Sequence, residues 1–120
     1  MKKMINSFKY AICGICTAFK EEKNMKVHVA LMLGVIIAGF LLKINIQEWI
    51  ICVILFGLVI ASELFNTAIE ITVDLAMPKK NDNAKKAKDI SAGAVLINAI
   101  VAIVIGGIIF IPKIFLIFNK

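Results

Sequence analysis

"WIICVILFGLVIASELFNTAIEITVDL", residues 49–75, begins as a segment suited to lipid and ends as a ladder of acids. From Trp49 to Ala68 it supplies the ~20 mostly apolar residues a helix needs to cross a bilayer. Its last turns nevertheless carry Glu63, Asn66, Glu70 and Asp74. At 100° and 1.5 Å per residue, Glu63 and Glu70 point within about 20° of each other and lie roughly 10 Å apart along the axis. Asn66 and Thr67 fall between them and Asp74 continues the stripe, so one side of a lipid-adapted helix is polar. A carboxylate at the bilayer centre costs about 2.5 to 3.5 kcal/mol, less toward the edge, which makes function the first reading of such a stripe. Bonding between neighbouring helices is the alternative. Glu63 falls just inside the apolar zone, whereas Glu70 and Asp74 reach the head groups. A carboxylate withdrawn from water holds a proton more readily, which suits Glu63 to general-base work. The more aqueous Glu70 suits a hard cation such as Mg²⁺.

Two further apolar runs flank this one, roughly residues 27–42 and 90–111. With 61% of 120 residues hydrophobic, the chain exceeds the share usual in soluble proteins. No strand-like alternation is present, and every backbone polar group in lipid must be satisfied within its own segment, which favours helices. The expected fold is an all-α integral membrane domain spanning residues 1–120, with an interfacial helix over 1–25 and membrane helices over 27–44, 49–76 and 84–111. Ile5, Phe8, Ile12, Ile15 and Phe19 recur at spacings of three and four, marking the N-terminal segment as an amphipathic helix lying on the membrane. It is a poor secretory signal, because Lys9 interrupts it and no small-residue cleavage site follows. "KINIQE" (residues 43–48) reads as a tight turn, Pro78 as a stop signal, and Asn81, Asp82 or Asn83 as the cap of the last helix, which Pro112 is expected to end.

The net charge of +6 is carried entirely by lysines, and their placement is informative. Lys2, Lys3, Lys9, Lys20, Lys23 and Lys26 precede the first span, and Lys79, Lys80, Lys85, Lys86 and Lys88 lie between the second and third. The positive-inside rule puts both groups, and hence the N-terminus and the acidic ends, in the cytoplasm, with the C-terminus outside. No aromatic-interleaved basic face accompanies them, so nucleic acid is a poor partner.

Glu21 and Glu22 close the interfacial helix on the same side of the membrane, and Lys88 and Asp89 open the third span. Acids for a metal, lysines for phosphates and one semi-buried acid together suit phosphoryl transfer to a lipid alcohol. Neither a GxxxxGK[ST] loop nor HRD or DFG motifs occur, which excludes those soluble nucleotide folds. Cys13-Gly-Ile-Cys16 lacks a second ligand pair and is a weak redox or zinc motif. Cys52 reads as a small apolar residue, His28 as an interfacial polar residue and Trp49 as an interface anchor. Small residues at Ala30, Gly34 and Ala38, and at Ala94, Ala102 and Gly106 around Asn98, offer surfaces for close helix approach.

"ELFNTAIEITVD" (residues 63–74) and "AKKAKDISAGAVLI" (residues 84–97) resemble the small prokaryotic diacylglycerol kinase family, which includes the undecaprenol kinases of Gram-positive bacteria. The resemblance covers nearly the whole chain, and "EKNMKVH" (residues 22–28) is similar to the undecaprenol-kinase branch. It implies an ATP- and Mg²⁺-dependent lipid kinase acting as a homotrimer with sites shared between chains. Glu63 would then be the base, Glu22 and Glu70 the metal ligands, and Lys88 and Asp89 the contacts to nucleotide phosphates and their metal. Asn66 would support the site, and Tyr10 would lie near the nucleotide. Cys13 and Cys16 depart from the larger or charged residues usual in the family. Undecaprenol is the expected substrate on this resemblance, with diacylglycerol as the alternative. A non-enzymatic membrane subunit or proton relay, using Glu63, Glu70 and Asp74 alone, would leave Glu22, Lys88 and Asp89 unexplained.

Overall fold

Four helices carry the chain in the computed structural model, which describes residues 1–119: α1 Lys2–Glu21, α2 Lys23–Leu41, α3 Ile46–Ala76 and α4 Asp82–Phe118. No strand occurs among the described residues. By length and composition α2, α3 and α4 can each cross a membrane, while α1 is the amphipathic helix expected at the N-terminus.

The helix ends differ from those expected, each for a local reason. α1 stops at Glu21 rather than running to residue 25, because Glu22 turns extended, with φ −100° and ψ 116°. Its N–H still reaches the Ala18 carbonyl at 2.9 Å, so one residue ends α1 and opens α2. Ala18 and Met25 are buried on either side of this turn.

α2 ends at Leu41, ahead of the expected residue 44, in a Schellman-type turn. Lys43 occupies the left-handed region at φ 54°, a conformation costing a non-glycine residue roughly 1–2 kcal/mol. Offsetting this, the Ile44 N–H reaches back to the Gly39 carbonyl at 3.1 Å, and the Ile44 side chain is buried. Asn45 and Glu48 then form a reciprocal capping box, with bonds of 2.9 and 3.0 Å, which starts α3 at Ile46 rather than at Trp49. Trp49 lies across Gly39, where a Cβ would sit 2.6 Å from its Cη2, and its ring centroid is 4.9 Å from that of Phe40.

Asn81 caps α4 by accepting from the N–H groups of Asn83 and Ala84, which places the start at Asp82 rather than 84. Pro112 does not end α4; the helix runs through it to Phe118, past the expected residue 111. Proline removes one N–H from the ladder, a loss that membrane helices accommodate through local adjustment. Beyond it, Lys113 pairs with Glu48 at 3.1 Å and ties the extension to the first turn of α3.

α3 is the hub: α4 packs on it alone, α2 packs on it from another side, and α1 touches α2 and α3. The Asn98 amide donates to the Leu58 carbonyl at 3.2 Å, holding α4 to α3 midway along their contact. Ile44, Cys52 and Ile109 form a small buried cluster near the 42–45 turn, the apolar role expected of Cys52. The molecule measures 59 × 43 × 21 Å and inverts the usual distribution of polarity. Ile103 and Phe65 are more than two-thirds exposed, while Glu63, Asn66, Thr67 and Ser91 are buried. Water would penalise such a surface, and lipid does not.

Because α2 and α4 flank α3 without meeting, an apolar groove of about 350 Å³ opens between them. Leu31 and Val35 of α2, Leu55 and Val59 of α3, and Ala102 and Gly106 of α4 line it. Ala102 and Gly106 thus face the groove instead of a packed neighbour.

Candidate active site

Glu63 sits one helical turn beyond Val59, the last α3 residue of the groove, and it is completely buried. Neither carboxylate oxygen has a hydrogen-bond partner among the described residues. The nearest polar atom recorded is Nε2 of His28, 3.3 Å from Oε2, without hydrogen-bond geometry. Thr67 turns its hydroxyl back to the Glu63 carbonyl at 3.0 Å, spending its polarity on its own helix.

The next turn of α3 is organised by a relay. Ser91 of α4 donates to Oδ1 of Asn66 at 2.7 Å, and the Asn66 amide donates to Oε1 of Glu70 at 3.3 Å. Ser91 therefore fixes which way the amide faces, and the amide holds Glu70. Glu22 approaches from the turn between α1 and α2. Its carboxyl is held above the usual carboxylate range, first by burial and then by repulsion from Glu70, Glu63 and Glu21.

Three of the expected residues, Glu22, Glu63 and Glu70, therefore share one electrostatic neighbourhood, with Asn66 bonded into it. The others are paired with different groups or exposed in the single chain. Lys88 pairs with Asp74 on α3, one turn past Glu70. Asp89 is exposed and pairs with Lys85 at 2.6 Å. Tyr10 is exposed on α1, and Cys13 and Cys16 are free and exposed on the same helix. Ser91 escaped the sequence reading although it lies within the motif around Lys88 and Asp89. His28, an interfacial polar residue by its sequence position, begins the i, i+3, i+4, i+7 face of α2 that lines the groove.

Among the described residues no group of three or more His, Cys, Asp or Glu side chains is arranged to hold a metal by itself. Mg²⁺ asks for less, since it keeps several waters and takes one or two carboxylates together with substrate phosphates. Mutually repelling Glu22 and Glu70, the latter held by an amide, fit that donor set.

The model of the family described as prokaryotic diacylglycerol kinase matches residues 9–110. The chain belongs to the prokaryotic diacylglycerol kinase family. It is 42% identical to the undecaprenol kinase of Bacillus subtilis over 113 residues, covering 94% of this chain and 92% of that one. It is 36% identical to the diacylglycerol kinase of Haemophilus influenzae, covering 89% and 92%, and 37% identical to that of Synechocystis, covering 91% and 63%. As a prokaryotic diacylglycerol kinase family member, the chain is a multi-pass membrane lipid kinase, a phosphotransferase to an alcohol group with ATP as donor. The purely interacting or proton-relaying subunit is thereby set aside.

Proposed function

We propose that this kinase transfers the γ-phosphoryl group of ATP to the hydroxyl of undecaprenol, giving undecaprenyl phosphate at the cytoplasmic face of the membrane. The observation that carries the reading is Glu63, wholly buried and without a hydrogen bond, at the end of an apolar groove. A lipid tail in that groove brings its alcohol to a fully buried carboxylate with unused acceptor capacity. The hydroxyl proton passes to Glu63 as the oxygen attacks the γ-phosphorus. The new P–O bond forms, the bond to the β–γ bridging oxygen breaks, and ADP leaves with that electron pair.

Glu22 and Glu70 would hold Mg²⁺, which when bound neutralises charge on the phosphates. Asn66, oriented by Ser91, keeps Glu70 aligned. Lys88, Asp89 and Tyr10 serve the nucleotide in this reading. In one chain Lys88 and Asp89 pair with Asp74 and Lys85, and in this reading a homotrimer brings a neighbouring chain to complete each site. The lysine-rich segments before α2 and between α3 and α4 support a cytoplasmic site.

Similarity to the Bacillus subtilis undecaprenol kinase over nearly its whole length favours undecaprenol. The relatives named diacylglycerol kinase make diacylglycerol the second reading. Purified protein in bilayers offering both lipids, with labelled Mg-ATP and Glu63→Gln as the blank, separates them. Preferential labelling of undecaprenol is expected. Preferential labelling of diacylglycerol reassigns the substrate, and near-normal turnover by Glu63→Gln removes Glu63 as the base.

A further inference from the structure

A single polar side chain interrupts the apolar face that α2 turns to the groove. His28, Leu31, Met32 and Val35 follow one another at helical spacing along it. The imidazole is the member nearest the acid, with Nε2 3.3 Å from Oε2 of Glu63, and it is largely buried, with 18% of its side chain exposed. A carboxylate with no exposure and no donor is costly to keep charged. His28 is the donor within reach, and the α3 hydroxyls of Ser62 and Thr67 are committed to backbone carbonyls. The broad χ2 well of histidine leaves the imidazole free to turn its N–H toward the oxygen. Hydrogen bonds of this kind commonly tighten only when substrate is bound.

We propose that His28 is a positioning residue for Glu63: its Nε2–H donates to Oε2 and leaves Oε1 to take the proton of the lipid hydroxyl. The inference rests on Glu63 acting as the base and adds a division of labour between its two oxygens. The hydroxyl proton goes to Oε1, and the Nε2 proton stays on His28 throughout. The negative carboxylate selects the Nε2–H tautomer, a choice an apolar residue at this position cannot impose.

Two experiments test this, and one needs no turnover. His28 is the sole histidine in the chain, so ¹⁵N-histidine labelling reports on it alone. In bilayers, the wild type should show a hydrogen-bonded Nε2–H, and Glu63→Leu should replace it with a mixture of tautomers. Identical spectra in the two proteins overturn the proposal. In the kinase assay, His28→Leu should lower kcat roughly 10- to 100-fold, as loss of an orienting partner does, with the lipid KM changed less than threefold. His28→Gln, whose amide nitrogen is the same number of bonds from the backbone, should recover most of that loss. A KM effect without a kcat effect, or equal loss in both variants, assigns His28 to packing. Wild-type turnover above the Glu63→Gln blank tests the underlying kinase reading separately.

Discussion

Glu22 meets three other carboxylates where the chain leaves α1, and burial adds to their repulsion. Both effects make the folded protein bind a proton at Glu22 more readily than the unfolded chain does. The associated stability is therefore present in acid and is lost as pH rises above about 4.5 through the folded value. Thermal unfolding in Mg²⁺-free detergent should show a melting temperature that declines over this range, and Glu22→Gln should flatten the decline. An unchanged slope in that variant removes Glu22 as the source. Glu70→Gln belongs to the same argument: it should weaken Mg-ATP binding in calorimetry by about 10-fold or more, as loss of a charged ligand does. Unaltered affinity assigns the metal elsewhere. At this scale the acids of α3 were readable because Glu63, Asn66 and Glu70 lie on one helix, where spacing alone determines which residues share a face. Ser91 and His28 were not readable as parts of the site. Their partners sit on another helix, and the register between helices is not written in the periodicity of either one.

The 42–45 turn shows how far local rules carry. Asn45 and Glu48 are a capping box in plain sight, and reading them would have started α3 at Ile46. Lys43 in the left-handed region carries no such sign, since glycine is the residue that usually announces this conformation. Pro112 misled in the opposite direction, because its helix-breaking reputation comes from water, where the helix has little to hold it beyond the break. Here Lys113 is tied to Glu48 one residue later. Gly39 and Gly34 make a matched pair for testing the packing of this hairpin. A methyl group at Gly39 would overlap the Trp49 ring, whereas one at Gly34 meets nothing within 4 Å. Gly39→Ala should therefore destabilise by about 1–3 kcal/mol through overpacking. Gly34→Ala should be neutral or mildly stabilising, since alanine is favoured over glycine within a helix. Thermal unfolding of the two variants in parallel checks the contrast, and equal melting temperatures would argue against the Trp49–Gly39 contact.

On the scale of the whole molecule, membrane class and helix number were legible from the three apolar runs, whereas the groove was not. It arises because α2 and α4 take separate sides of α3, a choice that composition leaves open. Two ion pairs join α3 to α4 at opposite ends, Asp74–Lys88 near the acids and Glu48–Lys113 near the 42–45 turn. Counted at 1.5 Å per residue they stand roughly 39 Å apart on α3 and roughly 38 Å apart on α4. That spacing falls between a hydrocarbon core of about 30 Å and a full bilayer of about 40–45 Å. The exposed Asp74–Lys88 pair stabilises little in itself and the Glu48–Lys113 pair is partly covered, but together they fasten the hairpin into a strut of set length with a charged foot at each end. A strut of fixed length responds to a thinner membrane by leaning, and leaning changes the depth of Glu22, Glu63 and Glu70, which lie at one end. Turnover should accordingly pass through a maximum as the acyl chains of the host bilayer are lengthened, and a flat profile would exclude this coupling. The enzyme would then sense the thickness of the membrane that supplies its substrate.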